Sequence, residues 1–527
     1  MGAGRIGRGF LAQLFARAGW SVAFVERAEP LVEELRRRGS YQVHLAGAEG
    51  RVERAVISGF QVLPAGGREA VAAEIGRTDL LAAAVQPADL AAAAELLAPG
   101  LRRRLSEGTG LNLILCANLS GAGALLRREL ERAGLTPAEL ARLGIVESIV
   151  IRVVPDPPPQ VQVDSPLDLL ASDWPELYVD RGAVVGALPE VPGVVPQDRF
   201  AQRELRKLYT YNMAHALLGF WGQAEGYEGV ADSFRDPWIR RQAERALEEA
   251  TAGLSGELGF SAEEMTEWNA GVRRLMSNRH VGDRVERLMR DPLRKLARGE
   301  RLTGPALLAL KHGSKPRALA RVIAYALHSL GLGPEAARQA CGLEPQRALD
   351  AELQELIARA HRWIAREREA SSLGFEFERT YRGCGQCTFA AVQQALGQEE
   401  ERVFRALTAF AGGFGLSGDA VCGALSGAGA CFGLAQGRRR DHFDGDREPK
   451  YATFAMAQAL RERFLWKYGS LLCKGVHERI FGRSFDLRNA QEREEFELAG
   501  AHAGKCTAVV GDVARWAVQI IAEQGAD

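Results

Sequence analysis

Gly2-Ala-Gly4-Arg-Ile-Gly7-Arg-Gly9-Phe10 has the spacing G-x-G-x-x-G and runs straight into an amphipathic pattern through Leu11, Leu14 and Phe15. In a strand–turn–helix unit such glycines allow a tight turn, close backbone approach to a pyrophosphate and close helix packing, with the helix N-terminus turned to the phosphates. The motif alone is weak, and its neighbours decide the reading. Ser21 to Val25 is a short β-branched and aromatic run ending in Glu26, nineteen residues after Gly7. A carboxylate there accepts from ribose hydroxyls and repels a 2′-phosphate, which favours NAD over NADP, although the adjacent Arg27 works against that preference. Gly2, Gly4, Gly7 and Glu26 are therefore the candidate cofactor-binding residues. The motif should follow a buried strand, yet Gly2 comes directly after Met1. A start several residues upstream is the expected explanation, because a sheet without its centre is costly.

Working outward, Asp79-Leu-Leu-Ala-Ala-Ala-Val85 and Leu111-Asn-Leu-Ile-Leu-Cys116 are apolar runs of strand length, separated by alanine- and leucine-rich helical segments. Asn118 falls just past the second run, on the edge where open parallel sheets bind ligands. Ile145 to Val154 reads as a further strand closed by Pro155-Asp-Pro-Pro-Pro159, and Val161 to about Val195 as the sheet's far edge and a connector. Residues 1–199 are thus expected to form a doubly wound α/β domain with a truncated first strand. Helical periodicity then dominates residues 200–369, an all-α substrate domain. A linker-like stretch, Arg366-Glu-Arg-Glu-Ala-Ser-Ser372, leads into a cysteine-rich, mainly α domain at 370–527.

The polar constellation lies at the start of the helical domain. Lys207-Leu-Tyr-Thr-Tyr-Asn212-Met-Ala-His215 spaces a lysine, an asparagine and a histidine at i, i+5 and i+8. At about 100° per residue, Tyr211, His215 and Asn212 fall about 40°, 80° and 140° from Lys207, on one broad face. Glu204, three residues earlier, joins that face and can pass a proton outward from the lysine. Ser277-Asn-Arg-His-Val-Gly-Asp283, with Arg287, Arg290, Arg294 and Lys295, gathers cations suited either to solvent or to a phosphate or polyol.

Composition excludes several classes. The 67 basic and 67 acidic residues cancel, leaving no electrostatic footprint for nucleic acid or a membrane surface. No apolar run is long enough to span a bilayer, and the N-terminus lacks signal-peptide character, so the cytoplasm is the expected compartment.

Taken together, residues 1 to about 350 resemble the polyol-specific long-chain dehydrogenases. The glycine signature, Ser40-Tyr-Gln-Val-His44, Lys207 to His215, Val285-Glu-Arg and Pro292-Leu-Arg-Lys-Leu296 carry the resemblance. It implies a Rossmann-like NAD domain and NAD-dependent interconversion of a hexitol phosphate with a ketohexose phosphate, without catalytic zinc. It also implies Lys207 as general base, Asn118 and Asn212 as donors to the developing alkoxide, and His215 orienting substrate hydroxyls. Hexuronates and unphosphorylated hexitols are the rival substrates, and Ser40 to His44 favours the hexitol phosphate. Two positions depart from that family's pattern: Ala117 stands where an acidic residue is usual, and Val150-Ile151-Arg152 replaces Val-Asp-Arg.

Six of the eight cysteines crowd the C-terminal region, within Gly383-Cys384-Gly-Gln-Cys387, Cys422-Gly-Ala-Leu-Ser-Gly427, Cys431, Tyr468-Gly-Ser-Leu-Leu-Cys473 and Cys506. This pattern resembles the C-GCAxxG-C-C family of redox-active proteins, with Cys387, Cys422, Cys473 and Cys506 as the matching residues and Cys384 and Cys431 as extras. In a cytosolic chain such a cluster points to a thiol–disulfide relay, a metal or an iron–sulfur cluster rather than a disulfide frame. The expected metal or redox set is Cys384, Cys387, Cys422, Cys473 and Cys506, with a redox partner. The alternative for the whole chain is an NAD(H)-binding redox sensor or electron-transfer protein that no longer turns over a polyol.

Overall fold

Short apolar runs bounded by turn residues, such as Leu111–Cys116 and Leu169–Ser172, are buried and become strands because they are too short to gain from a helix. A computed structural model describes residues 1–155, 165–445 and 447–524. Ten strands lie among the described residues: β1 Ala23–Glu26, β2 Ser40–Ala46, β3 Val52–Ser58, β4 Gln61–Pro64, β5 Leu81–Ala84, β6 Leu111–Cys116, β7 Leu143–Ile149, β8 Leu169–Ser172, β9 Leu177–Asp180 and β10 Val194–Gln197. β5, β6 and β7 run parallel, and the sheet continues through β9, antiparallel to β7, to β10. β1 pairs in parallel with β4 as a separate piece, and β2 lies between antiparallel β3 and parallel β8.

The expected strand over Ile145–Val154 ends early, at Ile149. Beyond it the backbone finds other partners: Tyr211 Oη donates to Ile151 O (2.9 Å) and Ser172 Oγ accepts from Val153 N (3.0 Å). Buried Arg152 donates to Trp174 O and Gln13 Oε1 and stacks on Phe10. The Val150–Arg152 departure is thus a clamp inside the fold. After Pro155, the rest of the proline segment and residues up to 164 lie outside the described residues.

The sheet's centre is reduced to Met1–Gly2. Gly2 N donates to Val25 O of β1 (2.9 Å), Ala84 N of β5 donates to Met1 O (2.9 Å), and the Met1 amine bonds Ala82 O. Away from that bridge, Val22–Val25 and Leu80–Ala83 border a slot of about 540 Å³. Ser40–His44, read above for substrate preference, opens β2. Its Tyr41 is buried against Phe24 and Phe60 and donates to Arg8 O (3.0 Å), so it is a core residue.

The chain divides into two compact units, Met1–Asp232 with Leu254–Arg290, and Ser233–Gly253 with Asp291–Asp527. In the first unit, helix Phe200–Lys207 and its continuation join the sheets through Tyr211, while Trp268 packs edge-on to Trp174. In the second, one 34-residue helix, Ala348–Tyr381, runs through the expected linker. Its Glu367 is fully buried and accepts from Arg321, from Tyr325 Oη (2.6 Å) and from Gln519 Nε2 (3.0 Å). A charge run that reads as a solvated linker is therefore partly a set of tertiary contacts.

Candidate active site and cysteine cavity

The Lys207 face is helical but not regular. Phe200–Lys207 and Met213–Ala224 are α-helical, and Leu208–Asn212 between them is a π turn. Regular winding would leave Asn212 about 140° from Lys207. The i→i+5 bonding of a π turn takes more residues per rotation, which turns Asn212 back toward the lysine's face. The widened turn has its own supports. Thr210 Oγ1 donates to Arg206 O (2.6 Å) and accepts from Trp268 Nε1 (2.7 Å), and Arg206 stacks on Trp268 with its guanidinium carbon 4.1 Å from the ring centre.

Lys207 is half-buried, its Nζ 5.9 Å from the Tyr211 ring centre. Glu204 Oε2 accepts from Ser120 Oγ (2.9 Å), which joins the helix to the loop carrying Asn118. Burial raises the Glu204 carboxyl above its ordinary range, with Glu147 adding to the effect; the Ser120 hydrogen bond and Lys207 oppose it. Glu147 itself accepts from Gly123 N (3.0 Å). Glu204 and Ser120 are thus bonded beyond the carboxyl end of β6, with Lys207 and Glu147 near enough to shift the Glu204 carboxyl, while Asn118 is exposed in the same loop as Ser120.

His215 is buried and its pKa is lowered to about 4 by desolvation; Asp283 opposes that shift and Arg287 reinforces it. Its Nδ1 lies 3.2 Å from Tyr211 O and its Nε2 3.6 Å from Asp283 Oδ2. Arg287 holds Asp283 in a two-bond fork (2.7 and 2.6 Å), so most of that carboxylate's charge is already met. The imidazole is neutral at pH 7, and a proton on Nδ1, donated to Tyr211 O, leaves Nε2 as an acceptor. The expected cation cluster is largely engaged elsewhere. Arg287 is bound to Asp283, and in the second unit Arg294 pairs with Glu300 and Lys295 is buried.

At the glycine turn, a Cβ on Gly7 would run into the Gly2 carbonyl and one on Gly2 into Ala84 O, whereas Gly4 has open space beside it. Glu26 Oε2 accepts from Ala3 N (2.7 Å) and Oε1 from Arg27 N and Ala28 N (2.9 and 3.0 Å) at the carboxyl end of β1. The Arg27 guanidinium pairs with Asp89 (2.7 Å). A turn pressed against its own backbone on one side and open on the other, next to an oriented carboxylate, fits a dinucleotide.

The second unit contains a cavity of about 360 Å³ lined in part by Cys384, Cys422, Cys473, Cys506, Glu378 and His502. Cys384 and Cys473 begin helices Cys384–Leu396 and Cys473–Phe481, and Cys422 caps Gly423–Gln436. Cys422 and Cys473 are brought together by an antiparallel bridge, Cys422 N donating to Leu471 O (2.8 Å) and Cys473 N to Ala420 O (3.0 Å). Cys506 follows a second π turn, Ala501–Lys505, which carries His502. The Cys-Gly-Ala-x-x-Gly motif has a packing reason. A Cβ on Gly423 would meet Phe410 O and Cys384 Sγ, and one on Gly427 would meet Gly385 O.

Not every expected cysteine faces the cavity. Cys387 lies one turn beyond Cys384 and donates to Arg382 O (3.2 Å), and Cys431 is buried among the helices. Cys384 carries a raised thiol pKa, through its hydrogen bond to Cys422 and through burial; burial also raises Cys387, Cys506 and, to about 12, Cys473. Among the described residues, no group of three or more His, Cys, Asp or Glu side chains is placed to hold a metal ion. Cys384, Cys422, Cys473 and Cys506 face a common cavity.

Glu378, His502, Asp283 and Ser120 were not singled out from the sequence. Glu378 sits in a helix rich in exposed charge, and nothing local marks it as the one that points inward. Asp283 lay in a noted run, but only the fold pairs it with His215.

Comparison with known proteins agrees with this layout. Residues 1–193 match the family model "Mannitol dehydrogenase Rossmann domain", residues 201–367 "Mannitol dehydrogenase C-terminal domain" and residues 383–520 "Putative redox-active protein (C_GCAxxG_C_C)". Similar solved structures include a D-sorbitol dehydrogenase in substrate-free form (17% identity, TM-score 0.56, covering 68% of this chain and 91% of that one). Another is Pseudomonas fluorescens mannitol 2-dehydrogenase in a ternary complex with NAD and D-mannitol (16% identity, TM-score 0.55, covering 68% and 90%). At these identities the structures speak for the fold. Among the described residues no helix is long and apolar enough to cross a membrane. With its glycine turn, lysine helix and cysteine-bearing helices accounted for, the chain belongs to the mannitol dehydrogenase family through residue 367 and carries a C_GCAxxG_C_C domain after it.

Proposed function

We propose that the first two matched domains form an NAD-dependent polyol dehydrogenase, with a hexitol phosphate and a ketohexose phosphate as substrate pair, as in mannitol-1-phosphate 5-dehydrogenase. The observation that carries this reading is the Lys207–Asn212–His215 face, with Glu204 tied to Ser120 beside the Asn118 loop. Bound NAD supplies the hydride acceptor. Lys207 takes the proton of the reacting hydroxyl. Glu204, raised by burial, receives it and relays it outward by way of Ser120. The amides of Asn118 and Asn212 donate to the oxygen as it gains charge, contributing about 3 kcal/mol or so per well-aimed donor. Neutral His215 accepts from a neighbouring substrate hydroxyl through Nε2. Glu26 accepts from the ribose hydroxyls and disfavours a 2′-phosphate.

The free hexitol is the second reading. It gains support from the two neighbours named for sorbitol and mannitol, and from the core position of Tyr41, which removes one argument for the phosphate. The C-terminal domain we read as a thiol redox module. The test is NADH formation by the full chain with mannitol 1-phosphate, mannitol and sorbitol in parallel. The phosphate ester should be preferred by about ten-fold or more in kcat/KM, as a charged group with dedicated partners would give. Preference for a free hexitol would transfer the assignment to the second reading, and no turnover with any of the three would favour an NAD(H)-binding redox protein.

A further inference from the structure

Glu378 is 3% exposed, faces the cysteine cavity, and its Oε2 has no hydrogen-bond partner. A buried carboxylate oxygen left without a donor is expensive and calls for a reason. Its surroundings supply one. His502 Nε2 lies 3.6 Å from Glu378 Oε1, and His502 Nδ1 lies 2.9 Å from both oxygens of Glu497. Arg382 pairs with Glu497 (3.0 Å), leaving Glu378 as the inward member of the relay. The Glu378 charge is felt by Cys384, Cys387, Cys473 and Cys506 together. Cys384 and Cys422 line the same cavity, and Cys384 Sγ packs against Gly423, the residue after Cys422.

The Cys384, Cys473 and Cys506 thiols are raised above their ordinary range, so a base must take a proton before any of them is a nucleophile. Three helix N-termini at Cys384, Cys422 and Cys473 then favour the thiolate once it forms. His477 lies 3.5 Å from Cys473 Sγ, and Glu378 lines the cavity together with Cys384 and Cys422. Resting on the redox reading of this domain, we infer that Glu378, backed by His502 and Glu497, is the proton acceptor of the cavity, and that Cys384 and Cys422 form the dithiol oxidised there by a small organic disulfide.

The step balances as follows. Glu378 takes the Cys384 proton, and the thiolate attacks one sulfur of the disulfide, forming a mixed disulfide and breaking the substrate S–S bond. The departing thiolate takes a proton from the Glu378–His502 pair. Glu378 then takes the Cys422 proton, and the Cys422 thiolate attacks Cys384 Sγ, closing a Cys384–Cys422 bond and expelling the second thiolate, which takes that proton back from the Glu378–His502 pair. Two protein thiols and one disulfide become one protein disulfide and two small thiols. The protein loses two electrons and the small disulfide gains them.

The test uses the reduced full chain under anaerobic conditions with bis(2-hydroxyethyl) disulfide. Thiol release is followed in time, and alkylation with mass spectrometry locates the new bond. Expected are two thiols lost per chain, two equivalents of small thiol released, and a Cys384–Cys422 linkage. Glu378→Gln should slow release by about ten-fold or more, while Glu378→Asp stays within about three-fold of the parent. Should the glutamine variant fail to fold, His502→Gln serves instead, with slowing of the same order expected. A glutamine variant, or failing that His502→Gln, reacting at the parent rate overturns the assignment, as does a linkage between other cysteines. If the parent chain itself loses no thiols, the redox reading of the whole domain falls, an outcome distinct from failure of Glu378 alone.

Discussion

The two candidate sites share a construction and differ in how their carboxylates are met. Each follows or contains a π turn, Leu208–Asn212 in one and Ala501–Lys505 in the other, and each sets a histidine, buried His215 or partly buried His502, beside a buried acid. In the polyol cleft, Asp283 is forked by Arg287, so desolvation dominates and His215 falls to about 4. In the cysteine cavity burial also pulls His502 down, but its hydrogen bonds to Glu378 and Glu497 outweigh that and the net shift is upward. How deeply the imidazole is buried and how many carboxylates it meets, one at His215 and two at His502, decide whether the same side chain accepts a hydrogen bond or holds a proton. The cleft thus offers a neutral acceptor to hydroxyls, and the cavity a charged relay to thiols.

The largest expected effect separates the sites outright. Lys207→Ala should lower polyol turnover by about two to four orders of magnitude while NADH affinity changes little, because a base acts in the chemical step and not in cofactor binding. Thiol oxidation in the second unit should be untouched. Parallel turnover, NADH titration and thiol-release measurements on that variant check it. Turnover near the parent level would remove Lys207 from the mechanism, and a joint loss in both assays would mean the two sites are not separable.

Much of the fold was legible from the sequence, and the reasons for the gaps are physical. Strand runs such as Leu111–Cys116 emerged because burial on both faces writes an unbroken apolar string. The glycine turn and the lysine face were readable because their chemistry is local. The π turn was not, since the Thr210–Trp268 hydrogen bond that supports it joins residues remote in sequence. Nor was the continuity of Ala348–Tyr381, where Glu367 looks solvated until Arg321, Tyr325 and Gln519 close on it. In Ser40–His44 the burial of Tyr41 was not readable from its polar-looking neighbours. The cysteine spacing identified the module, but the exchange of Cys387 for Cys384 in the cavity depends on which side of one helical turn faces inward.

A smaller effect should convert one site toward the other. Arg287→Gln leaves Asp283 uncompensated, so His215 should titrate above its value of about 4, moving by roughly one unit, the size of one exposed charge's influence at short range. Imidazole titration by NMR on the parent and the variant reads this directly, and the acid limb of polyol turnover should move to higher pH with it. An unmoved His215 would show that desolvation alone sets its proton state and that the comparison of the two acids is misplaced.

The smallest expected effect is a difference in slope. For His215 the folded pKa is depressed below its unfolded value near 6.5, so the unfolded chain binds more protons between about pH 6.5 and 4 and stability falls as pH is lowered through that window. For His502 the folded value is raised, so its contribution is complete below the unfolded pKa and is lost as pH climbs through the folded one. Around and just above pH 6.5, then, acidification should tighten the segment about His502 while that about His215 begins to loosen. Amide hydrogen exchange corrected for intrinsic rates, comparing Met213–Ala224 with Cys506–Gln524 across pH 5 to 8, resolves the two slopes in one sample. Slopes of the same sign would mean that Glu378 and Glu497 do not hold a proton on His502, and the cavity would lose the charged relay that distinguishes it from the cleft.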